Sequence, residues 1–147
     1  MPPARTDPYQ NAHFRVLIDG VEATGFSELR LPELVNSIVE YREGDDPELS
    51  DRKAPGRQHF GPAHLSRGFR GTLELYEWWK QVGSGAPNGR RGVLIQLLDE
   101  ARAVVFEWVL HEAWPSRYFF SPLIGHNGDV LYEHAEIACE SVELRNP

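Results

Sequence analysis

The stretch that decides the fold is AWPSRYFFSPLIGHNGDVLYEHAEIACESVEL, residues 113–144. It opens with an aromatic–proline corner at Trp114–Pro115, carries a turn signal at Asn127–Gly128 and ends in a strand-like run from Val130 to Leu144. In that run Ala135, Ile137 and Cys139 lie on one face, with Glu136 and Glu140 on the other. The alternation slips near Ser141, where a bulge is expected. A last strand needs a sheet edge to pair with, so this stretch predicts the closure of a sheet, within one molecule or between neighbours.

The segments before this stretch also predict strands. His13–Asp19 alternates, with Phe14, Val16 and Ile18 on one face, and Asp19–Gly20 predicts a hairpin turn into a second strand over 21–29 with a possible bulge at Gly25. Further strands are expected over four ranges: 34–42, 64–70, 92–99 and 103–112.

One helix is predicted, over residues 73–82. Leu75, Trp78, Trp79 and Val82 are spaced to share a helical face, Thr72 can cap the helix, and the glycine at 83 is expected to end it. With seven or eight strands and this helix, the predicted fold is mostly β: an antiparallel β-barrel or two-sheet sandwich with one flanking α-helix, in a single domain over 1–147. Residues 1–12 are expected to form an N-terminal arm.

Residues 44–63, GDDPELSDRKAPGRQHFGPA, predict a long loop. They hold three prolines, three glycines and charges of both signs, with Leu49 and Phe60 as the large apolar residues. A loop of this length in a compact domain is usually functional or mobile. Two interpretations are open from the residues alone, a solvated surface loop and an arm that becomes ordered against another subunit.

Composition excludes several classes of protein. The net charge of −7 argues against a general nucleic-acid or membrane-surface binder, which would carry an excess of Lys and Arg. The sequence has no run near the ~20 apolar residues that a membrane anchor needs, and no secretory leader, so synthesis in the cytoplasm without a signal peptide is expected. The single cysteine, Cys139, fits a reducing compartment and an inert buried thiol.

Catalytic and metal-binding motifs are missing from the sequence. The six histidines show no spacing that resembles a zinc site, and the chain has neither a glycine-rich phosphate loop nor a nucleophile elbow. The sequence therefore predicts no enzyme activity, no cofactor and no metal site.

In their order along the chain, several motifs carry a family resemblance. They are FRVLIDGVEATGFSEL (14–29), preceded by Asp7–Pro8–Tyr9, then IVEYREG (38–44), LYEWWKQV (75–82), LLDE (97–100), AWPS (113–116) and ACESVEL (138–144). Each is weak alone, but together they span nearly the whole chain. The sequence resembles the tail-tube proteins of contractile phage tails and of extracellular contractile injection systems.

The resemblance implies a structural subunit of an inner tube, not an enzyme. Six copies would form a ring whose sheets run together around a cargo channel, and stacked rings would be driven through a target envelope when a sheath contracts. Sheath and baseplate proteins are the implied partners, and sequence-specific nucleic-acid binding is not expected. The resemblance also favours an inter-subunit arm for residues 44–63. The subunit-interface residues that it suggests are Tyr41, Arg42, Glu43, Asp45, Asp46, Arg52, Lys53, Arg57, Phe60, Trp114 and Arg117.

Two alternatives stand beside the tube subunit. A tube-initiator ring at the baseplate would share the fold, and the number of copies per particle would separate the two. A monomeric β-barrel that binds a small ligand, with Trp and Phe residues lining its cavity, belongs to a different class.

Overall fold

The computed structural model describes residues 7–10, 13–42, 44–45, 52–87, 89–126 and 128–147. Over these residues the chain forms ten strands and one helix. In chain order they are β1 (Phe14–Ile18), β2 (Val21–Ala23), β3 (Phe26–Arg30), β4 (Leu34–Tyr41), β5 (Arg52–Phe60), β6 (Ala63–Gly68), α1 (Glu74–Gly83), β7 (Arg91–Leu98), β8 (Val104–Phe120), β9 (Tyr132–Ala138) and β10 (Ser141–Arg145). The strand pairs are antiparallel, so the predicted mostly β fold with one flanking helix is confirmed.

Two sheets share the long strand β8. Its first half pairs with β7 and β10, which gives sheet A the order β2-β1-β7-β8-β10. Its second half, from Trp114 onward, pairs with β9, and sheet B continues through β6 to β3. At the opposite side the chain passes from sheet A to sheet B through Thr24–Gly25, between β2 and β3. The result is a two-sheet sandwich joined along both sides.

The stretch 113–144 crosses between the sheets instead of turning a corner. Trp114–Pro115 lies inside β8, so the predicted corner is wrong; the strand shifts register between Pro115 and Arg117 and continues. The predicted final strand over 130–144 is two strands, because β9 pairs in sheet B and β10 in sheet A. Between them the Glu140 amide donates to the His111 carbonyl oxygen at 3.0 Å. The slip in alternation near Ser141 therefore marks a change of sheet.

The same kind of crossing divides the predicted strand over 21–29. Val16, Leu17 and Ile18 pair with β2, as the predicted hairpin requires, but Phe26 onward pairs with β6 in sheet B. Gly25 lies between the two strands with φ +88°, in the left-handed region that favours glycine. The predicted bulge is a passage from one sheet to the other.

The core lies between the sheets. Val16, Ile18, Val93, Ile95 and Leu110 contribute to it from sheet A, and Leu65, Ala135 and Ile137 do so from sheet B. The predicted inner face of β1 is confirmed, since Phe14 also packs on this cluster. None of the helices in the described part of the chain is long and apolar enough to cross a membrane.

The helix packs on β8 and spans Glu74–Gly83, one residue later than predicted. Leu75 and Trp78 are buried, whereas Trp79 is 44% exposed, so the predicted apolar face is only partly in the core. Thr72 is not the cap: the Glu77 amide donates to the Leu73 carbonyl, which makes Leu73 the N-cap, without a side-chain cap bond. Gly83 is still helical, and Gly85 takes the left-handed conformation after it.

The predicted loop over 44–63 is wrong for residues 52–60. These residues form β5, which pairs with β4 along its length as a separate two-stranded sheet. Gly44 and Asp45 lie in a turn, and residues 46–51 lie outside the described residues. The long polar segment is thus the returning strand of a hairpin and the connection before it.

Candidate subunit interface

The β4–β5 hairpin stands away from the sandwich. Not one described residue of either strand is buried. At its base Phe60 packs against the core, and the Gly61 amide donates to the Glu33 carbonyl oxygen at 2.8 Å. The hairpin is therefore anchored at one end and projects from the subunit.

Large apolar side chains on the hairpin face solvent. Leu34 is 53% exposed, Ile38 65%, Val39 49% and Tyr41 45%. Because neighbouring residues of a strand point to opposite faces, Ile38 and Val39 leave both faces of the hairpin uncovered. Large apolar side chains that stay exposed on both faces of a projecting element are typical of a place where another protein binds.

A bulge in β5 depends on Gly56. Asn36 pairs with Gln58 and Ile38 pairs with Pro55, so Ser37 lies opposite two residues, Gly56 and Arg57. A Cβ on Gly56 would lie 2.9 Å from Val39 Cγ2 and 3.1 Å from the Ser37 carbonyl oxygen. The bulge thus requires glycine, and it explains how Pro55, without an N–H, is accommodated in a strand.

The hairpin brings most of the predicted interface residues together. Tyr41 pairs with Arg52, and Lys53 pairs with Glu40 beside them. Arg42, Asp45 and Arg57 are exposed on the same projection, and Phe60 is half-buried at its base. Glu43 and Asp46 lie outside the described residues.

Two predicted residues lie elsewhere, in the second half of β8. Trp114 is half-buried, and Arg117 is exposed with an Nη1 that donates to Glu136 Oε1 at 3.0 Å. The sequence reasoning identified Tyr41 but missed the other exposed apolar residues of β4: Leu34, Ile38 and Val39. The consecutive pair Ile38–Val39 was the available signal, since an alternating strand with one buried face cannot bury both.

The outer face of sheet A carries a row of polar side chains that crosses its strands. Arg15 Nε lies 3.4 Å from Glu22 Oε1, and Arg15 Nη1 donates to Gln96 Oε1 at 3.5 Å. Gln96 Nε2 donates to Glu107 Oε2 at 2.8 Å, and Arg145 Nε donates to Glu107 Oε1 at 3.1 Å. This row, called the polar row below, has one member on each of the five strands of sheet A.

The middle of the polar row is buried and its ends are exposed. The Glu107 side chain is 9% exposed, whereas Arg145 is 48% and Glu22 is 53% exposed. The hydrogen bond from Gln96 and the contact with Arg145 lower the pKa of Glu107, and burial partly opposes them. Glu107 is therefore held as a carboxylate.

A second polar cluster lies buried beneath sheet B. Glu133 is 1% exposed; it accepts hydrogen bonds from Arg67 Nε and from the Tyr118 hydroxyl, both at 2.5 Å. Arg67 Nη1 also donates to the Thr24 carbonyl oxygen at 3.1 Å, at the passage between the sheets. Burial and the bond to Glu133 raise the pKa of Tyr118 well above its usual range, so the phenol stays protonated. The cluster ties three strands and the Thr24–Gly25 passage together.

Two histidines meet on the outer face of sheet B. His64 Nε2 lies 3.1 Å from His134 Nδ1, and the His134 ring stacks on Phe119 at 4.8 Å between ring centroids. Burial, and then the proximity of His64, lower the pKa of His134. His134 therefore favours its neutral imidazole, and at this distance a ring nitrogen of one histidine can donate to the other.

Among the residues that the structure describes, no group of three or more His, Cys, Asp or Glu side chains is placed to hold a metal ion. Burial raises the pKa of the Cys139 thiol, which disfavours the thiolate that a nucleophile needs. An open groove of about 340 Å³ is lined by residues of both sheets, among them Phe14, Leu29 and Trp108.

Known proteins resemble this chain over nearly its whole length. A family model described as T4-like virus tail tube protein gp19 matches residues 10–143. The chain belongs to this tail tube family. No match was found among curated protein sequences.

Solved structures share the tail tube fold. A structure described as the sheath–tube complex of an extracellular contractile injection system, PVC, in the extended state has a TM-score of 0.80 at 19% identity, and 97% of this chain and 94% of that chain are covered. The tube-terminating cap of the anti-feeding prophage gives a TM-score of 0.81 at 20% identity, with coverage of 100% and 97%. Hcp1 from Flavobacterium johnsoniae gives 0.62 at 15% identity, with coverage of 91% and 95%. These likenesses show a shared fold, and they agree with the tail tube family that the family model assigns to the chain.

Proposed function

We propose that this chain is the structural subunit of an inner tube, in which six copies close into a ring and rings stack around a cargo channel. The exposed apolar hairpin carries the proposal. It is anchored at Phe60 and Gly61, but none of its described residues is fully buried in the subunit, as expected for an arm that is completed by a neighbouring copy.

The proposed mechanism is mechanical and needs no catalytic group. The tube holds its cargo until an outer sheath contracts, and it is then driven forward as a rigid body through a target envelope. Sheath and baseplate proteins are the proposed partners, in line with the sheath–tube and baseplate assemblies to which similar structures belong. After synthesis in the cytoplasm the subunit would be found within a phage tail-like particle.

The first test is whether the purified protein assembles. Negative-stain microscopy of the wild type should show rings or tubes of uniform diameter, with class averages that have six-fold symmetry. A protein that stays monomeric at high concentration, alone and with the other particle components, would contradict the proposal. Many copies per particle would indicate the tube, and six copies an initiator ring.

A pair of substitutions at Ile38 tests the role of the hairpin. Ile38→Asp should abolish assembly, because it places a charge on an apolar surface that becomes desolvated on contact. Since Ile38 is 65% exposed, the unfolding midpoint of the isolated subunit should not move. Ile38→Val is the matched control and should still assemble. Normal tubes from Ile38→Asp would show that the hairpin is not an interface.

A further inference from the structure

The polar row ends with opposite charges at the two edges of sheet A. Glu22 stands on β2 at one edge and Arg145 on β10 at the other. Along the row the charged groups alternate in sign: Glu22, Arg15, Glu107, Arg145. Each of the three inner members has row partners on both sides, whereas each end residue has a row partner on one side only.

We infer that the polar row continues from one copy of the chain to the next, with Arg145 of one subunit facing Glu22 of its neighbour. This inference rests on the proposed function and names the surfaces that would meet in the ring. A second copy fits the open end of the row because it brings an acidic group to the basic edge and keeps the alternation of sign. The contact joins different surfaces of the two copies, and a contact of that kind forms a ring when its rotation closes.

The strands at the two edges suit such a contact. β2 and β10 are the outermost strands of sheet A, and an unpaired strand edge is a template for pairing with another chain. Both run in the same direction, since three antiparallel strands separate them, so the contact between copies would be parallel. β5 also contacts β10, so this edge of sheet A lies next to the hairpin.

The distance within one subunit makes the inference testable. Glu22 and Arg145 are four strand spacings apart, roughly 19 Å at about 4.8 Å per strand. Residues so far apart and without a shared partner usually act additively on the stability of a single chain, and a cycle on subunit unfolding measures any coupling through the row itself. Coupling that is found in assembly and not in subunit unfolding therefore reports a contact between copies.

A double-mutant cycle on assembly is the experiment. Glu22→Gln, Arg145→Gln and the double variant are compared with the wild type in the critical concentration for assembly and in subunit unfolding. Each single substitution should raise the critical concentration about two- to fivefold, and the double variant should raise it by the same factor, because the contact is already lost. In subunit unfolding the two effects should simply add.

Cross-linking gives a second measurement that does not depend on energies. In a Cys139→Ser background, Glu22→Cys combined with Arg145→Cys should give a ladder of covalent oligomers on oxidation, since facing residues on adjacent strands approach within disulfide range. Each single-cysteine variant is the control and should stay monomeric.

The outcomes separate the two proposals. The polar-row contact would be overturned, with the proposed function left standing, if tubes still form but two results go against the contact. These are factors in critical concentration that multiply in the double variant, and no ladder from the double-cysteine chain. A wild type that forms no assemblies would overturn the proposed function and this contact with it.

Discussion

Replacing Trp78 by alanine should destabilise the subunit by about 3–5 kcal/mol, the usual cost of truncating a large buried aromatic. Trp78 is 2% exposed, and its Nε1 donates to the Gly89 carbonyl oxygen at 2.7 Å. The indole therefore fills the space between the helix and the sandwich and also satisfies a buried carbonyl. Trp78→Phe should separate these two contributions: it keeps most of the volume, leaves Gly89 unpaired and should cost about 1–3 kcal/mol.

Trp79 is the matched control, one residue further along the same helix. It is 44% exposed and stacks on Tyr76 at 6.4 Å between ring centroids. Trp79→Ala removes the same atoms with the same change in helix propensity, but it leaves little cavity, and it should cost about 1 kcal/mol through the lost stacking. The assay is urea unfolding followed by far-ultraviolet circular dichroism, below the concentration at which the protein assembles. Circular dichroism avoids the change in fluorescence that the loss of a tryptophan causes.

The predicted order is Trp78→Ala, then Trp78→Phe, then Trp79→Ala. The reasoning would be refuted if the two alanine variants lost equal free energy of unfolding, or if Trp78→Ala lost less than about 1 kcal/mol. Either result would mean that the buried Trp78 indole does not dominate the packing of the helix on the sandwich. A loss of assembly in Trp79→Ala without a loss of stability would place this exposed face at a contact instead.

Two further predictions concern buried charge. Glu133→Ala should lower the free energy of unfolding by about 3–5 kcal/mol, because it leaves the buried Arg67 guanidinium without its carboxylate. Glu136→Ala, on the outer face of the same strand, is the control and should cost under about 1 kcal/mol. Equal losses of stability from the two variants in urea unfolding would contradict the importance of the buried pair. The unfolding free energy should fall in two steps on acidification, because the pKa values of His134 and Glu107 are lower in the folded state than in the unfolded state. The unfolded state therefore binds more protons at His134 below pH about 6.5, and at Glu107 below pH about 4.5. His134→Gln should remove the first step and Glu107→Gln the second, whereas a flat profile from pH 7.5 to 4 would show that neither pKa is lowered.

Alternation made much of the sandwich predictable. In β1, Phe14, Val16 and Ile18 need one buried face. Residues 92–99 are almost continuously apolar, and Val93, Ile95 and Leu98 are buried, whereas Gln96 lies on the outer face in the polar row. These local patterns reflect the burial that the fold provides, so element type and much of the core follow from the sequence. The direction of the chain after each element does not follow in the same way.

The errors occurred where one segment serves two sheets. Thr24–Gly25 and the region after Cys139 each interrupt an alternation, and a bulge and a change of sheet produce the same interruption in sequence. Pro115 looked like a corner because proline disrupts most strands. In the structure it lies in β8 at the register shift, where a missing N–H is tolerated.

The candidate interface was partly predictable from composition. The charged and glycine-rich character of 44–63 indicated a segment without a core-facing stripe, and the hairpin indeed buries none of its described residues. Its strand character was hidden because β5 contains Pro55 and Gly56, which are rare in strands. The polar row could not be predicted, since its five members come from five strands and meet only through strand order and register.

The sharing of β8 has a consequence for the proposed tube, which would work under load when a sheath contracts. This strand runs for 17 residues, a contour length of roughly 56 Å at about 3.3 Å per residue, and belongs to both sheets. A force that slides one sheet past the other is therefore resisted by covalent backbone as well as by side-chain packing. The subunit therefore resists shear along the direction of β8, its longest strand. Under such a load we expect unfolding to begin with the separation of β7, β9 or β10 from β8.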